Sequence, residues 1–357
     1  MKGAIFSDHH FGLKKNNGDR LEDAEACVDW IIEECKKSGN LDVCMFLGDL
    51  FHNRFDLNVK TIEYAQRSVK KLCKAFKEVY LLVGNHDVYY NGNNELTSTL
   101  VLTKKKNLHI VRKKSETIIL DGKEILLCPW STRPKDGEKY DMILGHFEMN
   151  GIRQPSGFSS GCEYDAKDIS KCSDLIFTGH YHIHEKYEYD KSIIHSVGCA
   201  YQHDWSDCDR DKGFYLMDFE TFDYKFVLNE VSPKFVKMKY SEMVEVAPED
   251  LKNTLSKHKN NFLKVEVDGE FVHDKLFEII NKIEKLVANG VGVEYSDVIM
   301  VDNSKMEDSK EELSNKSKRY YMKVFMKELV KEDKFKNLKL DRLNKYIDVY
   351  CEKLEIS

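Results

Sequence analysis

Five short segments in the first half of the chain set aspartate, asparagine and histidine beside one another at intervals that suit metal coordination. They are Asp8-His9-His10, Gly48-Asp49 running into His52, Gly84-Asn85-His86-Asp87, Gly145-His146 and Gly179-His180-Tyr181-His182. Carboxylate, imidazole and amide form a donor set of oxygen and nitrogen without sulfur, compatible with manganese, magnesium, iron or zinc. The chemistry such a set supports is attack of a water-derived nucleophile on a phosphodiester. Negative charge on the attacking, non-bridging and leaving oxygens must then be neutralised, which two cations roughly 3.5–4 Å apart can do. We expect Asp8, His10 and His182 to hold a first ion, Asn85, His146 and His180 a second, and Asp49 to bridge them. A single histidine is ordinarily a surface or core residue. Of the thirteen here, all but His258 and His273 precede Asp204, and the motif histidines sit beside glycine, aspartate or asparagine. His109, His258 and His273 carry no such signal, and His9, His184 and His195 read as strand or loop residues directed away from the ions.

The elements that must position these residues are short apolar runs. Ala4-Ile5-Phe6 leads to Asp8, while Val43-Cys44-Met45-Phe46-Leu47, Val79-Tyr80-Leu81-Leu82-Val83, Met142-Ile143-Leu144 and Leu175-Ile176-Phe177 each lead to a glycine of a motif. Runs of this length read as buried strands, so the ligands gather at strand ends, where glycine lets backbone come close. Two amphipathic helices lie between them, with faces at Leu21, Ala24, Val28, Ile31 and Cys35 and at Val59, Ile62, Ala65, Val69, Leu72 and Phe76. Further strands are expected at Ile118-Leu120, Ile125-Leu127, Ile193-Ile194, Phe214-Met217 and Tyr224-Leu228. The expectation is an α/β domain over residues 1–230 with two packed sheets flanked by helices.

A second unit, residues 231–302, restarts the pattern near Ser232-Pro233. Strands are expected at Phe235-Lys239, Phe262-Val267 and Val298-Val301, and a helix from Asp274 to Ala288 with Leu276, Ile279, Ile280, Ile283 and Val287 on one face. Residues 303–317 are charged and polar and read as a linker. In residues 318–357, Tyr321, Val324, Phe325 and Leu329 line one helix and Leu340, Leu343, Ile347, Tyr350 and Leu354 another. Such faces pack on each other, on the second unit, or on a partner.

Composition narrows the class. A chain of 357 residues with 41% hydrophobic content exceeds one core. Ten cysteines without a CxxC pair, and no secretory leader, lead us to expect a reduced, cytoplasmic protein, with Cys44 and Cys128 as core residues. No apolar stretch reaches membrane-spanning length. The net charge of −6 is unusual for a protein acting on a polyanion, although Lys104-Lys105-Lys106 and Arg112-Lys113-Lys114 flank a short strand with basic charge.

The five motifs together resemble the calcineurin-like metallophosphoesterase superfamily, whose DxH, GDxx, GNHD, isolated GH and GHxH are all present. Gly48-Asp49-Leu50-Phe51-His52-Asn53 is similar to SbcD and its Mre-type archaeal, eukaryotic and phage relatives, nuclease subunits in DNA double-strand-break repair. Protein phosphatases of the superfamily carry Asp-Arg-Gly after the GD pair, and this chain has His52-Asn53-Arg54. Gly198-Cys199-Ala200-Tyr201-Gln202 through Asp211-Lys212-Gly213-Phe214 looks most like the phage-encoded branch, which would place the protein in a host cytoplasm.

The resemblance implies a four-layer αββα metallophosphoesterase sandwich, a small α+β capping domain and C-terminal helices. It implies the same seven ligands, two divalent ions with manganese foremost and magnesium possible, and His86 as the acid that protonates the leaving 3′ oxygen. It further implies Asp87 orienting His86, and His52 on the scissile phosphate. The partners implied are DNA and an SbcC-type coiled-coil ATPase on the tail, with a homodimer inside a heterotetramer, and the activities are 3′-to-5′ exonuclease on duplex DNA and endonuclease on single strands. A small-molecule or cyclic-nucleotide phosphodiesterase would share every motif but needs no tail, and a scaffold that lost catalysis would usually have lost ligands. The family pattern does not explain the loop with His203, Asp204 and Trp205, which suits stacking or gating better than phosphate binding.

Overall fold

Val43–Phe46 is buried along its whole length because alternate residues meet different cores. Cys44 and Phe46 pack with helices, and Val43 and Met45 pack toward a second sheet. The same alternation repeats in neighbouring strands and sets the architecture. The computed structural model describes residues 1–90, 93–152, 164–287, 289, 291–300 and 345.

In chain order the first unit contains β1 (Lys2–Phe6), α1 (Leu13–Asn16), α2 (Gly18–Ser38), β2 (Val43–Phe46), α3 (Val59–Ala75), β3 (Glu78–Leu82), β4 (Val88–Tyr90), β5 (Asn93–Thr97) and β6 (Leu108–Val111). It continues with β7 (Glu116–Leu120), β8 (Lys123–Cys128), β9 (Met142–His146), α4 (Ala166–Ser170), β10 (Leu175–Gly179), β11 (Glu185–Tyr189), β12 (Ser192–Ser196), β13 (Gly213–Asp218) and β14 (Tyr224–Leu228). One six-stranded sheet runs β14-β13-β1-β2-β3-β6 and the other β11-β12-β10-β9-β8-β7. In both, the central pairs are parallel; antiparallel strands close both edges of the second sheet but one edge of the first, whose other edge strand, β6, runs parallel to β3.

Three cores separate four layers, as the α/β sandwich requires. Helices α2 and α3 bring Ala24, Val28, Ile31, Ala65, Val69 and Leu72 against Ala4, Phe6, Cys44 and Phe46. Between the sheets Ile5, Val43, Met45 and Leu82 meet Ile125, Leu127, Met142, Leu144 and Phe177. Beyond the second sheet, Leu126, Ile143 and Ile176 pack with Ala166 and Ile169 of α4. Each such aliphatic side chain stabilises by about 1.5–3 kcal/mol, so the strand ends between these cores are firmly placed. Helix α2 starts where Asn17 accepts the Asp19 and Arg20 N–H groups, and Asn58 does the same for Lys60 at the start of α3.

The buried face of α3 differs from the expectation. Val59 is 82% exposed, and the stripe instead runs from Thr61 through Tyr64, Ala65, Ser68, Val69 and Leu72 to Phe76. Val59 opens the helix at an end that no neighbouring apolar residue covers, so its hydrophobicity has no packing consequence.

Residues up to Val236, with Asn260–Phe262, pack with the first unit, so the division falls a few residues later than 230. Phe235 explains the shift: its N–H donates to Gln202 Oε1 at 2.6 Å, its ring stacks on Phe262, and the Arg20 guanidinium lies over both rings. The second unit contains strands β15 (Phe235–Lys239), β16 (Phe262–Phe271) and β17 (Val291–Met300), with β16 and β17 parallel, and helices α5 (Tyr240–Glu245), α6 (Pro248–Lys257) and α7 (His273–Leu286). Leu276, Ile279 and Ile283 of α7 are buried in this small α+β unit with Leu251, Leu255, Val265 and Val267. Helices α5 and α6 escaped the sequence reading because they are short, at six and ten residues, and each buries only two side chains. The expected linker 303–317 and, apart from Lys345, the helical region 318–357 lie outside the described residues, as does Val301. Among the described residues no helix is long and apolar enough to cross a membrane.

One buried histidine of the fold sets an acid limit on stability. His195 in β12 is satisfied by two hydroxyls, Tyr224 at Nε2 and Tyr215 at Nδ1, both at 3.0 Å. Burial, with His184 and Lys186 facing it, holds its pKa down to about 4. Above the unfolded value near 6.5 both states are neutral and the ring contributes no pH dependence. Between about 6.5 and 4 only the unfolded chain takes the proton, so stability falls with falling pH by about 1.4 kcal/mol per unit. Urea melts at pH 7 and pH 4.5 should show a smaller acid loss for His195→Gln than for the parent, and equal losses would refute the assignment.

Candidate metal centre

All seven expected ligands leave the ends of strands on one edge of the sandwich. Asp8 and His10 follow β1, Asp49 follows β2 and Asn85 follows β3 in the first sheet. His146 ends β9, and His180 and His182 follow β10 in the second. The turns are sharp. Asp8, His10, Asp49 and His180 all have positive φ, 54°, 51°, 56° and 84°, a region that side chains other than glycine rarely occupy and that costs about 1–3 kcal/mol each. The Asp8 and His10 N–H groups hold this path by donating to the Gly48 and Asp49 carbonyls at 3.0 Å. Gly84 has to lack a side chain, since a Cβ there would stand 2.1 Å from Asp49 Oδ1.

The donor atoms fall into two groups joined by one carboxylate. In the first, His10 Nε2 lies 3.1 Å from His182 Nε2, and Asp8 Oδ1 lies 3.8 Å from each. In the second, Asn85 Oδ1 lies 3.0 Å from His146 Nε2 and 2.9 Å from His180 Nδ1. Asp49 turns Oδ2 toward His10 and Oδ1 toward His146, at 3.5 Å each. Donors bound side by side on one cation at about 2.1 Å are separated by about 3 Å, so the groups have the spacing of two adjacent coordination shells. His146 is oriented for this purpose: its Nδ1–H faces the Leu47 carbonyl at 2.7 Å, leaving Nε2 as the donor.

Electrostatics point the same way. Burial opposes ionisation of Asp49, yet His146, His10 and His86 outweigh it and hold its carboxyl far below the usual range. Burial likewise opposes a proton on His146, but Asp49 and Asp8 raise that ring to about 9. Burial keeps His180 and His182 neutral, each near 4, as ligands must be. Positive charge between the two carboxylates is therefore held by protons, which divalent cations at the same donors would displace.

Three expected catalytic residues sit beside these groups. His86 is half-buried, with its ring 4.8 Å from His10, and exposed His52 stacks near it at 5.7 Å. Asp87, expected to orient His86, directs the hydrogen bonds of its carboxylate elsewhere. The Asp87 carboxylate is fully buried and accepts from the N–H groups of Leu50, Phe51 and Gly84 and from Ser98 Oγ, at 3.0–3.3 Å. It ties the two ligand loops together, whereas the His86 ring takes its orientation from the His52 carbonyl, 2.6 Å from Nδ1.

His9, His184 and His195 are directed elsewhere, to the Ala24 carbonyl and to the Tyr215 and Tyr224 hydroxyls. Two further residues lie near the centre: Trp130, which the sequence reading did not single out, and His203, which it placed in a stacking or gating loop. Trp130 packs 5.2 Å from His180 and 6.0 Å from His146, and His203 lies against His10 and His182. Neither stands in a ligand motif.

Two sheets that aim such donors at one edge of an αββα sandwich define a metallophosphoesterase. Residues 1–184 match the calcineurin-like phosphoesterase family, and the chain belongs to it as a phosphodiester hydrolase. It is similar to Exonuclease subunit 1 of Enterobacteria phage T4, 26% identical over 308 residues, covering 80% of this chain and 86% of that protein. It is also similar to the DNA double-strand break repair protein Mre11 of Methanocaldococcus jannaschii, 26% identical over 269 residues and 69% of each chain. The SbcD component of the nuclease SbcCD from Staphylococcus epidermidis is 21% identical over 321 residues, 78% of this chain and 79% of that one.

Proposed function

We propose that the protein is a metal-dependent DNA nuclease, acting 3′ to 5′ on duplex ends and endonucleolytically on single strands, as the nuclease subunit of an SbcCD-like complex. The convergence of six donor residues around Asp49, with His52 and His86 on the accessible side, carries this reading. When bound, two divalent cations, manganese by preference, neutralise phosphate charge and lower the pKa of water. Asp8, His10 and His182 would hold one, Asn85, His146 and His180 the other, and Asp49 would serve both. With Nδ1 fixed on the His52 carbonyl, His86 presents Nε2 to deliver a proton to the leaving 3′ oxygen. His52, exposed beside it, contacts a non-bridging phosphate oxygen.

A polynucleotide substrate is supported by the aromatic residues near these histidines. Phe55 is 65% and Tyr90 60% exposed, and Tyr89 joins them edge-on at 5.5 and 4.7 Å. Exposed rings of this kind stack nucleobases for about 1–3 kcal/mol per base, a service a small diester does not need. Residues 318–357 are proposed to dock a coiled-coil ATPase, with two nuclease subunits in the assembly. The full chain with manganese should shorten 3′-labelled linear duplex DNA far faster than it hydrolyses bis(p-nitrophenyl) phosphate at equal concentration. In the same preparation, removal of residues 306–357 should abolish capture of the ATPase. Intact duplex alongside rapid turnover of the small diester would refute the nuclease reading, and undiminished capture would refute the docking role.

A further inference from the structure

One buried imidazole outside the expected ligand set has nothing to bond. His203 is 2% exposed, and neither Nδ1 nor Nε2 has a hydrogen-bond partner among the described residues. An unpaired polar group in the interior costs about 1–3 kcal/mol, so its retention calls for a ligand. The ring stands edge-on to His10 at 5.3 Å and to His182 at 5.1 Å. A nitrogen from each of the three rings lies within 4.8 Å of the others. Two donors on opposite sides of one cation, at bonds of about 2.1 Å, are about 4.2 Å apart, so small side-chain adjustments bring all three to a common ion.

The backbone around His203 is fixed to that of an expected ligand. The His203 N–H donates to Asp207 Oδ2 at 2.8 Å, and Asp207 Oδ1 pairs with Lys212 Nζ at 2.5 Å. The same Nζ donates to the His182 carbonyl at 2.6 Å. One buried ion pair thus holds the segments of His203 and His182 in a constant relation. Cys199 and Asp207 also lie near His203, but Asp207 is already engaged by Lys212 and by backbone. Burial pushes the Cys199 thiol up, which keeps it protonated and a poor ligand.

We propose that His203 is an additional ligand of the first ion, which then has three imidazoles, His10, His182 and His203, beside Asp8 and the shared Asp49. Three nitrogens bias that position toward a transition metal and away from magnesium. The second position, with two imidazoles and an amide, lacks this bias. The proposal rests on the two-ion reading above.

Manganese binding to the full-length protein by titration calorimetry, with melting temperatures taken with and without manganese, tests it. In the parent, two ions should bind. In His203→Leu one of the two affinities should fall by at least about 10-fold, the other should stay, and the manganese-dependent rise in melting temperature should shrink. The metal-free melting temperature should hold or increase, because an unpaired buried imidazole is gone. If leucine lowers it, His203→Gln, which keeps a polar side chain of similar reach, carries the comparison instead. Two unchanged affinities and an unchanged manganese-dependent rise would overturn the assignment of His203 and leave the two-ion reading intact. A parent that binds no manganese would overturn both.

Discussion

Asparagine in place of Asp49 is expected to weaken both cations at once and to reduce phosphodiester hydrolysis by at least about 10³-fold. The loss is larger than for other ligands because Asp49 faces both donor groups, Oδ2 toward His10 and Oδ1 toward His146. Removing one electrostatic stabiliser of a transition state typically costs about 10²–10³, and this substitution removes the carboxylate common to two. Asparagine is the informative replacement. Its amide oxygen can still accept the His86 N–H, which reaches Asp49 Oδ1 at 2.8 Å, so the loop carrying Asn85 and His86 keeps its anchor. Metal content after dialysis and calorimetric titration with manganese measure the effect. Two ions retained at parental affinity would show that Asp49 bridges nothing.

The second large effect separates chemistry from metal binding. His86→Ala should lower turnover by about 10²–10⁴, the usual contribution of a positioned general acid, while manganese stoichiometry stays at two. His86 lies 4.8 Å from His10 between ring centroids but belongs to neither donor group, and its Nδ1 is engaged by the His52 carbonyl. Burial, with His10 and Arg54 nearby, draws its pKa below the usual value despite Asp49. The lowered pKa makes the protonated ring a stronger acid toward a leaving oxygen while reducing the protonated fraction at neutral pH. A DNA substrate whose leaving group is already a weak base should be spared most of the loss. Undiminished cleavage of ordinary DNA by the variant would remove His86 from the mechanism.

Much of this centre was legible because each ligand sits two to five residues beyond an apolar run, and a run buried on both faces leaves its end in a fixed place. The path from Phe6 to Asp8 or from Leu144 to His146 involves almost no conformational freedom. What was not legible involves partners far apart in sequence. Asp87 stands beside His86 and invited a role in orienting it, but its carboxylate bonds donors at Leu50 and Phe51, more than thirty residues earlier. His203 lies in an irregular segment without periodicity, and only its burial against His10 and His182 gives it significance. Val59 misled because apolar spacing was counted without knowing where neighbouring layers end. Helix α6 was missed because Pro248, Glu249 and Asp250 mark a helix start only when an apolar face follows, and Leu251 and Leu255 are too few to declare one.

The first sheet supplies Asp8, His10, Asp49 and Asn85, the second His146, His180 and His182, and each proposed ion draws on both. A cation bound there would act as a rivet between two slabs otherwise joined by apolar packing and a few hydrogen bonds, such as those from His146 to the Leu47 carbonyl and from His195 to the Tyr215 and Tyr224 hydroxyls. Chelators should therefore do more than silence the enzyme: they should let the slabs slip relative to each other, with amide exchange accelerating first at the ends of β1, β2, β9 and β10. Metal supply would then govern how long the protein survives as well as how fast it cuts.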